Sequence, residues 1–139
     1  MIRHSSFEDK VRNETVVPMN DGFVSHVRDL RVYQRAFELS LAVHKATLLF
    51  PKIEQYALGD QMRRASKSIC ANLAEGFGKQ AHSKAEFNQF VSMAAGSASE
   101  MIVWTEFAEA LGYISKECAA EWTDGFDHVS KMLQKLRKD

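Results

Sequence analysis

Proline and cysteine are nearly missing from this sequence, and neither charge is in excess. Two prolines, Pro18 and Pro51, and seven glycines in 139 residues exclude collagen, low-complexity linkers and a turn-rich all-β chain. Long helices are permitted. The two cysteines, Cys70 and Cys118, form no Cys-x-x-Cys pair, so neither a zinc ribbon nor a secreted disulfide framework is indicated, and reduced thiols fit best. Lys plus Arg total 18 and Asp plus Glu total 18, a formal net charge of zero. That excludes a strongly basic nucleic-acid coat at the level of composition, though not a local basic face. The segment MIRHSSFEDKVRNE lacks the apolar core of a signal peptide, and no run approaches the roughly 18 apolar residues of a membrane span. The expectation is a cytoplasmic protein with no membrane partner. Apolar residues at 45% and charged residues at 26% are ordinary for a globular chain, and the length suits one domain.

Residues 1–28 are polar, contain Pro18 and Gly22, and hold no period of two or 3.6, so they read as an N-terminal arm. Met19 lies inside this arm and is a candidate alternative start. The bundle domain is assigned to 29–139. Asp29 can cap a first helix that runs to about Phe50, where Pro51 stops it. It carries two apolar lines: Leu30, Tyr33, Phe37, Leu41, His44 and Leu48; and Val32, Ala36, Leu39, Val43 and Ala46. An arc that wide predicts more than one neighbour. A second helix spans about Glu54 to Phe77, with Leu58, Met62, Ile69 and Leu73 on one face and Gly76-Phe77-Gly78 suited to a C-cap. Ser83 with Glu86 forms a capping box for a third helix, apolar over most of its circumference up to Gly112. The fourth, about Ser115 to Leu136, places Ala119, Trp122, Phe126, Val129, Leu133 and Leu136 in a bundle seam. The fold class is therefore all-α, an antiparallel up-down-up-down four-helix bundle with an N-terminal arm.

Chemistry is sparsely signalled. A di-iron bundle needs Glu three residues before His, and none of the five histidines has it; His-Glu-x-x-His is also absent. No metal and no cofactor are expected, and His44 reads as a core or interface histidine. Glu75-Gly76-Phe77-Gly78-Lys79 imitates a phosphate loop, but Leu73 stands where Walker A needs glycine. Ser66, Ser68 and Cys70 lack any signature of an adjacent base, so small packing residues are the simpler reading. No catalytic residue and no small-molecule substrate are expected. Beside the apolar line of the second helix runs a polar one: Gln61, Ala65, Ser68, Asn72 and Glu75. With Glu100 on the wide apolar arc of the third helix, Arg64 or Arg63 is expected to pair with Glu75 or Glu100. Gln61, Arg64, Ser68, Asn72, Glu75 and Glu100 then read as a structural polar network, with an acid/base pair or a binding surface as the alternatives. Charge is uneven: Arg63, Lys67 and Lys79 on the second helix, and Lys131, Lys135, Arg137 and Lys138 at the C-terminus, are candidate phosphate contacts against the reading of a solvated helix end. The small patch around Gly96 and Ser97 invites close helix approach.

Asp29-Leu30-x-Val32-Tyr33-Gln34-x-Ala36, Phe50-Pro51, Tyr56-x-Leu58, Gln61-Met62-Arg63-Arg64-Ala65-x-x-Ser68-Ile69-x-x-Asn72-Leu73-Ala74-Glu75-Gly76, Gly96-Ser97-x-x-x-Glu100 and Leu111-Gly112-Tyr113-Ile114 together resemble the bacterial four helix bundle family, the S23 or 23S rRNA intervening-sequence proteins. The resemblance covers about Asp29 to Leu136. It implies an antiparallel bundle that assembles into a ring, typically a pentamer, without known enzymatic activity. Some members are encoded within intervening sequences of 23S rRNA genes; distant, more basic relatives are accessory proteins of diversity-generating retroelements that bind a reverse transcriptase and nucleic acid. Two functions follow as expectations. One is a ring-forming homo-oligomeric adaptor for RNA or an RNA-handling protein such as a reverse transcriptase. The other is a purely structural or protein-interaction bundle. The apolar third helix predicts the oligomer, with Gly96 and Ser97 at its interface.

Overall fold

Helical periodicity and strong stop signals divide this chain into four rods. The computed structural model describes residues 26–79 and 83–137, so most of the arm, including Met19, lies outside the described residues. The helices are α1 (Arg31–Thr47), α2 (Leu58–Lys79), α3 (Lys84–Ala110) and α4 (Lys116–Leu136), with single 3-10 turns at Val27–Asp29 and Lys52–Glu54. No strand occurs among the described residues. Each helix packs on the next and α4 returns to α1, so α1 and α3 lie on opposite corners of an antiparallel four-helix bundle.

The caps set the boundaries. Ser83 Oγ accepts from the Glu86 N–H at 3.1 Å, and Ser115 Oγ from the Cys118 N–H at 3.0 Å, each satisfying an orphan donor of a first turn. At the end of α3 the Tyr113 N–H reaches the Ala108 carbonyl at 2.8 Å and the Gly112 N–H that of Glu109 at 2.9 Å. This is a Schellman closure, and it needs the left-handed φ of +81° that Gly112 supplies. Asp29 does not cap α1. It sits in the preceding 3-10 turn, which places Leu30, 1% exposed, as the residue entering the helix.

Of the two apolar lines on α1, Val32, Ala36, Leu39 and Val43 fill the core, whereas Phe37 and Leu41 face outward. Phe87, Val91, Ala94, Ala98, Met101 and Ala108 of α3 and the whole seam of α4 complete the interior. The expected C-cap at Gly76 is instead helix interior. A Cβ there would stand 2.8 Å from Cβ of Phe90, so Gly76 exists to let α2 and α3 close up.

Candidate nucleic-acid interface

Antiparallel connection brings the start of α1, the end of α2, the start of α3 and the end of α4 to one end of the bundle, and the α1–α2 and α3–α4 turns to the other. At the first end, Arg31, Gln34, Arg35 and Glu38 of α1 lie across a groove from Asp124, His128 and Met132 of α4, an open space of about 430 Å³. Toward the tip the acids drop away. Residues 26–35 and 128–137 carry Arg28, Arg31, Arg35, Lys131, Lys135 and Arg137 against Asp29, six cations to one carboxylate. Lys131 also pairs with Asp127 at 3.1 Å across an exposed turn, a contact that contributes little in water.

Arg28, Arg31 and Arg35 were missed in the sequence, although Arg31 and Arg35 are one turn apart on α1 and Arg28 stands in the 3-10 turn just before it. Arg28 fell in the segment read as arm. Lys138 lies outside the described residues, as does the side chain of Lys79. Arg63 and Lys67 lie away from this end; Arg63 is corrected as a phosphate contact because its guanidinium is engaged within the fold, whereas Lys67 is an exposed cation. Arg63 is half-buried; its Nη1 donates to Thr47 Oγ1 at 3.0 Å and its Nη2 to the Gln55 carbonyl at 2.5 Å. Lys67 is exposed, with Nζ 3.0 Å from His44 Nδ1. Arg63 is a bolt between α2 and the end of α1.

The expected charged network is also corrected. Arg64 points outward, with Asp60 its partner at 3.9 Å across one turn, and Gln61, Glu75 and Glu100 are exposed. A helical wheel gives an angle, not a depth, and these positions fall on the solvent side of the α2–α3 contact. The short members of the line do engage. Ser68 Oγ and Ser97 Oγ are hydrogen-bonded at 2.6 Å, and Asn72 Nδ2 donates to the Ser68 carbonyl at 2.9 Å. Ser97 therefore serves the α2–α3 contact inside one chain, whereas Gly96 is on the outer surface with nothing within 4 Å of a Cβ placed there.

The possible nucleophiles are engaged in structure. Ser66 Oγ sits 3.4 Å from Ser40 Oγ in the core, and Ser68 Oγ bonds the Ala65 carbonyl at 2.8 Å as well as Ser97. Burial pushes the Cys70 thiol up to about 12, leaving it protonated and unreactive at neutral pH. Among the described residues no group of three His, Cys, Asp or Glu side chains could hold a metal, and no helix is long and apolar enough to cross a membrane.

Such an arrangement defines an all-helical bundle with a polarised surface. The family model of the 23S rRNA-intervening sequence protein matches residues 28–135, and the chain belongs to that family. A protein of unknown function from the S23 ribosomal protein family of Bacteroides thetaiotaomicron shares the fold with a TM-score of 0.69, at 23% identity, over 78% of this chain and 96% of that one. No curated protein matches the chain.

Proposed function

We propose that this chain is a non-catalytic subunit of a ring-shaped homo-oligomer that binds RNA through the basic end of each bundle. The observation that carries the reading is the convergence of Arg28, Arg31 and Arg35 with Lys131, Lys135 and Arg137 at one end of a chain whose net charge is zero. Guanidinium and ammonium groups at the start of α1 and the end of α4, all exposed but the half-buried Arg35, suit a phosphate backbone, without the base-reading geometry of a sequence-specific protein. The hydroxyls and thiol already engaged within the bundle favour a scaffold over an enzyme. Both cysteines are unpaired, which fits a reducing cytoplasm.

Ring formation draws its support from two apolar faces. Phe37 and Leu41 on α1 are each 47% exposed, and Met93, Val103 and Phe107 on α3 are 45 to 53% exposed. Because α1 and α3 sit on opposite corners, docking one face on the other is head-to-tail, and a head-to-tail contact closes into a ring when the rotation permits. Five subunits is the closure the family resemblance suggests. Repetition of the basic end would raise avidity for one RNA spanning several subunits.

Filter binding with single-stranded and structured RNA tests the reading. The logarithm of affinity should fall linearly with that of salt between about 50 and 200 mM, by about 0.7 per phosphate contacted on a single strand. Arg28→Glu with Arg31→Glu and Lys135→Glu should abolish retention while the oligomer keeps its mass. No retention of RNA by the unaltered protein at micromolar concentration and low salt refutes RNA binding and leaves a protein-interaction bundle.

A further inference from the structure

Beside the groove between α1 and α4 runs a second one, and the two share a ridge made by Gln34 and Glu38. Val27, Arg28, Tyr33 and Phe37 complete the second groove, an open space of about 580 Å³, inside the range of about 300–1,000 Å³ typical of sites for small organic groups. One hydrogen bond joins its two parts. Gln34 Nε2 donates to the Arg28 carbonyl at 2.9 Å, which holds the 3-10 turn, and with it Val27 and Arg28, against the first turn of α1. Tyr33 and Phe37 lie one helical turn apart on α1, with ring centroids 6.1 Å apart and planes inclined by only 18°. Phe37 is exposed and Tyr33 half-buried, so the groove has an aromatic wall open to solvent. Arg28 closes it toward the tip. Burial raises the Tyr33 phenol above its ordinary value, the Cys70 thiol adds to the rise, and the Arg28 guanidinium opposes it, so the cation is felt at the ring.

Charge selects the occupant. Arg28 stands at one end of the aromatic wall, Arg31 and Arg35 line the neighbouring groove across the ridge, and Glu38 occupies the ridge one turn further from the tip than Gln34. An anionic backbone is drawn to the arginines and kept from the inner end by the Glu38 carboxylate. The part of a nucleotide that fits the inner end is therefore its flat, uncharged base, and two nearly parallel aromatic rings offer that base a stacking face whatever its identity. A base-paired helix keeps its bases stacked on one another, out of reach of such a wall, whereas an unpaired strand presents them.

We infer that the groove of Tyr33 and Phe37 is a stacking site for one unpaired nucleobase per subunit, so that the ligand is single-stranded RNA whose backbone crosses the tip on Arg28, Arg31 and Arg35. The inference rests on the RNA binding proposed above and adds the class of RNA to it. Tyr33 is the principal surface. A subunit docked laterally on Phe37 and Leu41 walls the inner end of the groove and leaves its Tyr33 side open toward the tip, so ring and strand use the two sides of the same aromatic pair.

Fluorescence anisotropy of the full chain at low salt tests this with two labelled strands of about 12 nucleotides, an oligouridylate RNA and the same sugar-phosphate backbone without bases. Both strands carry equal charge. The unaltered protein should bind the RNA at least about fivefold more tightly than the abasic strand, the lower end of what one stacked base contributes. Tyr33→Leu keeps apolar bulk and removes the ring face, so it should erase that gap while affinity for the abasic strand, the salt dependence, the melting temperature and the particle mass stay. Tyr33→Phe restores the ring without the hydroxyl and should recover the gap. Should Tyr33→Leu alter the melting temperature or the mass, Phe37→Leu, which keeps an apolar side chain at an exposed position, gives the same reading. Equal affinity of the unaltered protein for both strands, or a gap that survives both leucine variants, overturns the stacking site and leaves the basic end as a purely electrostatic contact. Failure to bind either strand overturns RNA binding and the stacking site together.

Discussion

Replacing Gly76 with alanine sets helix propensity against packing. In a helix interior alanine is favoured over glycine by roughly 0.5–1 kcal/mol, and propensity alone makes the variant more stable. The structure reverses the sign. The added Cβ would stand 2.8 Å from Phe90 Cβ and 3.6 Å from the Phe87 carbonyl oxygen. Phe90 Cβ is carried directly by the α3 backbone and cannot rotate away, so the two helices must separate along their tightest contact. Overpacking of this kind costs about 1–3 kcal/mol, which exceeds the propensity gain. Gly96 is the control, because a Cβ there meets nothing within 4 Å and only the gain should remain. Gly125 lies between: its Cβ would meet Leu39 Cδ2 at 2.8 Å, the far end of a side chain that can shift, so Gly125→Ala should be nearly neutral. Urea unfolding and thermal melts at matched protein concentration should place Gly96→Ala above Gly76→Ala by about 2 kcal/mol, or roughly 6–10 °C for a domain of this size. A Gly76→Ala protein that melts above the parent refutes the close approach of α2 and α3.

Three further outcomes rest on named contacts. The hydrogen bond to Glu54, with burial and the carboxylate charge adding, raises the Tyr113 phenol above its ordinary value of 10.0. The proton is held more tightly in the folded chain, so the contribution is full below the unfolded value and fades as pH rises through the folded one; Glu54→Gln should move the Tyr113 absorbance titration down. Cys118 is half-buried and raised by burial and Glu121, whereas Cys70 is buried and raised to about 12, so a thiol reagent at pH 8 should label Cys118 first and Cys70 only on unfolding. Arg63→Ala removes two hydrogen bonds from a charged donor and should cost about 1–3 kcal/mol in urea unfolding. The salt dependence of RNA binding should stay as it was.

Capping and seam were legible because they depend on residues close in sequence. Ser83 with Glu86, and the steps of three and four from Ala119 to Leu136, mean the same thing in any tertiary setting. The outer line of α1 was legible only as apolar. Period alone does not say whether Phe37 and Leu41 meet the core of their own chain or the surface of another, and the competing line from Val32 to Val43 took the interior. Gly76 was read by its local rule, as a helix stop, when its reason lies in Phe90, fourteen residues on and in another helix. Glu75, Glu100 and Arg64 failed for a related cause. Placing a carboxylate near an apolar stripe by angle leaves its reach unspecified, and a long side chain at the margin turns to water unless a partner holds it.

The basic end was hidden for a different reason. A count of charges treats the start of α1 and the end of α4 as unrelated, and only the up-down connection sets them side by side. Their energetics differ. Lys135 and Arg137 near the end of α4 complement the negative end of its dipole, whereas Arg28 and Arg31 sit against the positive end of α1, where cations are disfavoured by about 0.3–1 kcal/mol each. Placing arginines there opposes stability, so folding does not account for them, whereas the RNA binding we propose would. Arg31→Glu reverses the sign at an exposed position and brings a carboxylate toward the cations of α4. Thermal stability should rise by up to about 1 kcal/mol while RNA retention at low salt falls. A variant that loses stability and RNA binding together would mean that Arg31 is part of the fold, and the separation of a folding role for α4's cations from a binding role for α1's would be wrong.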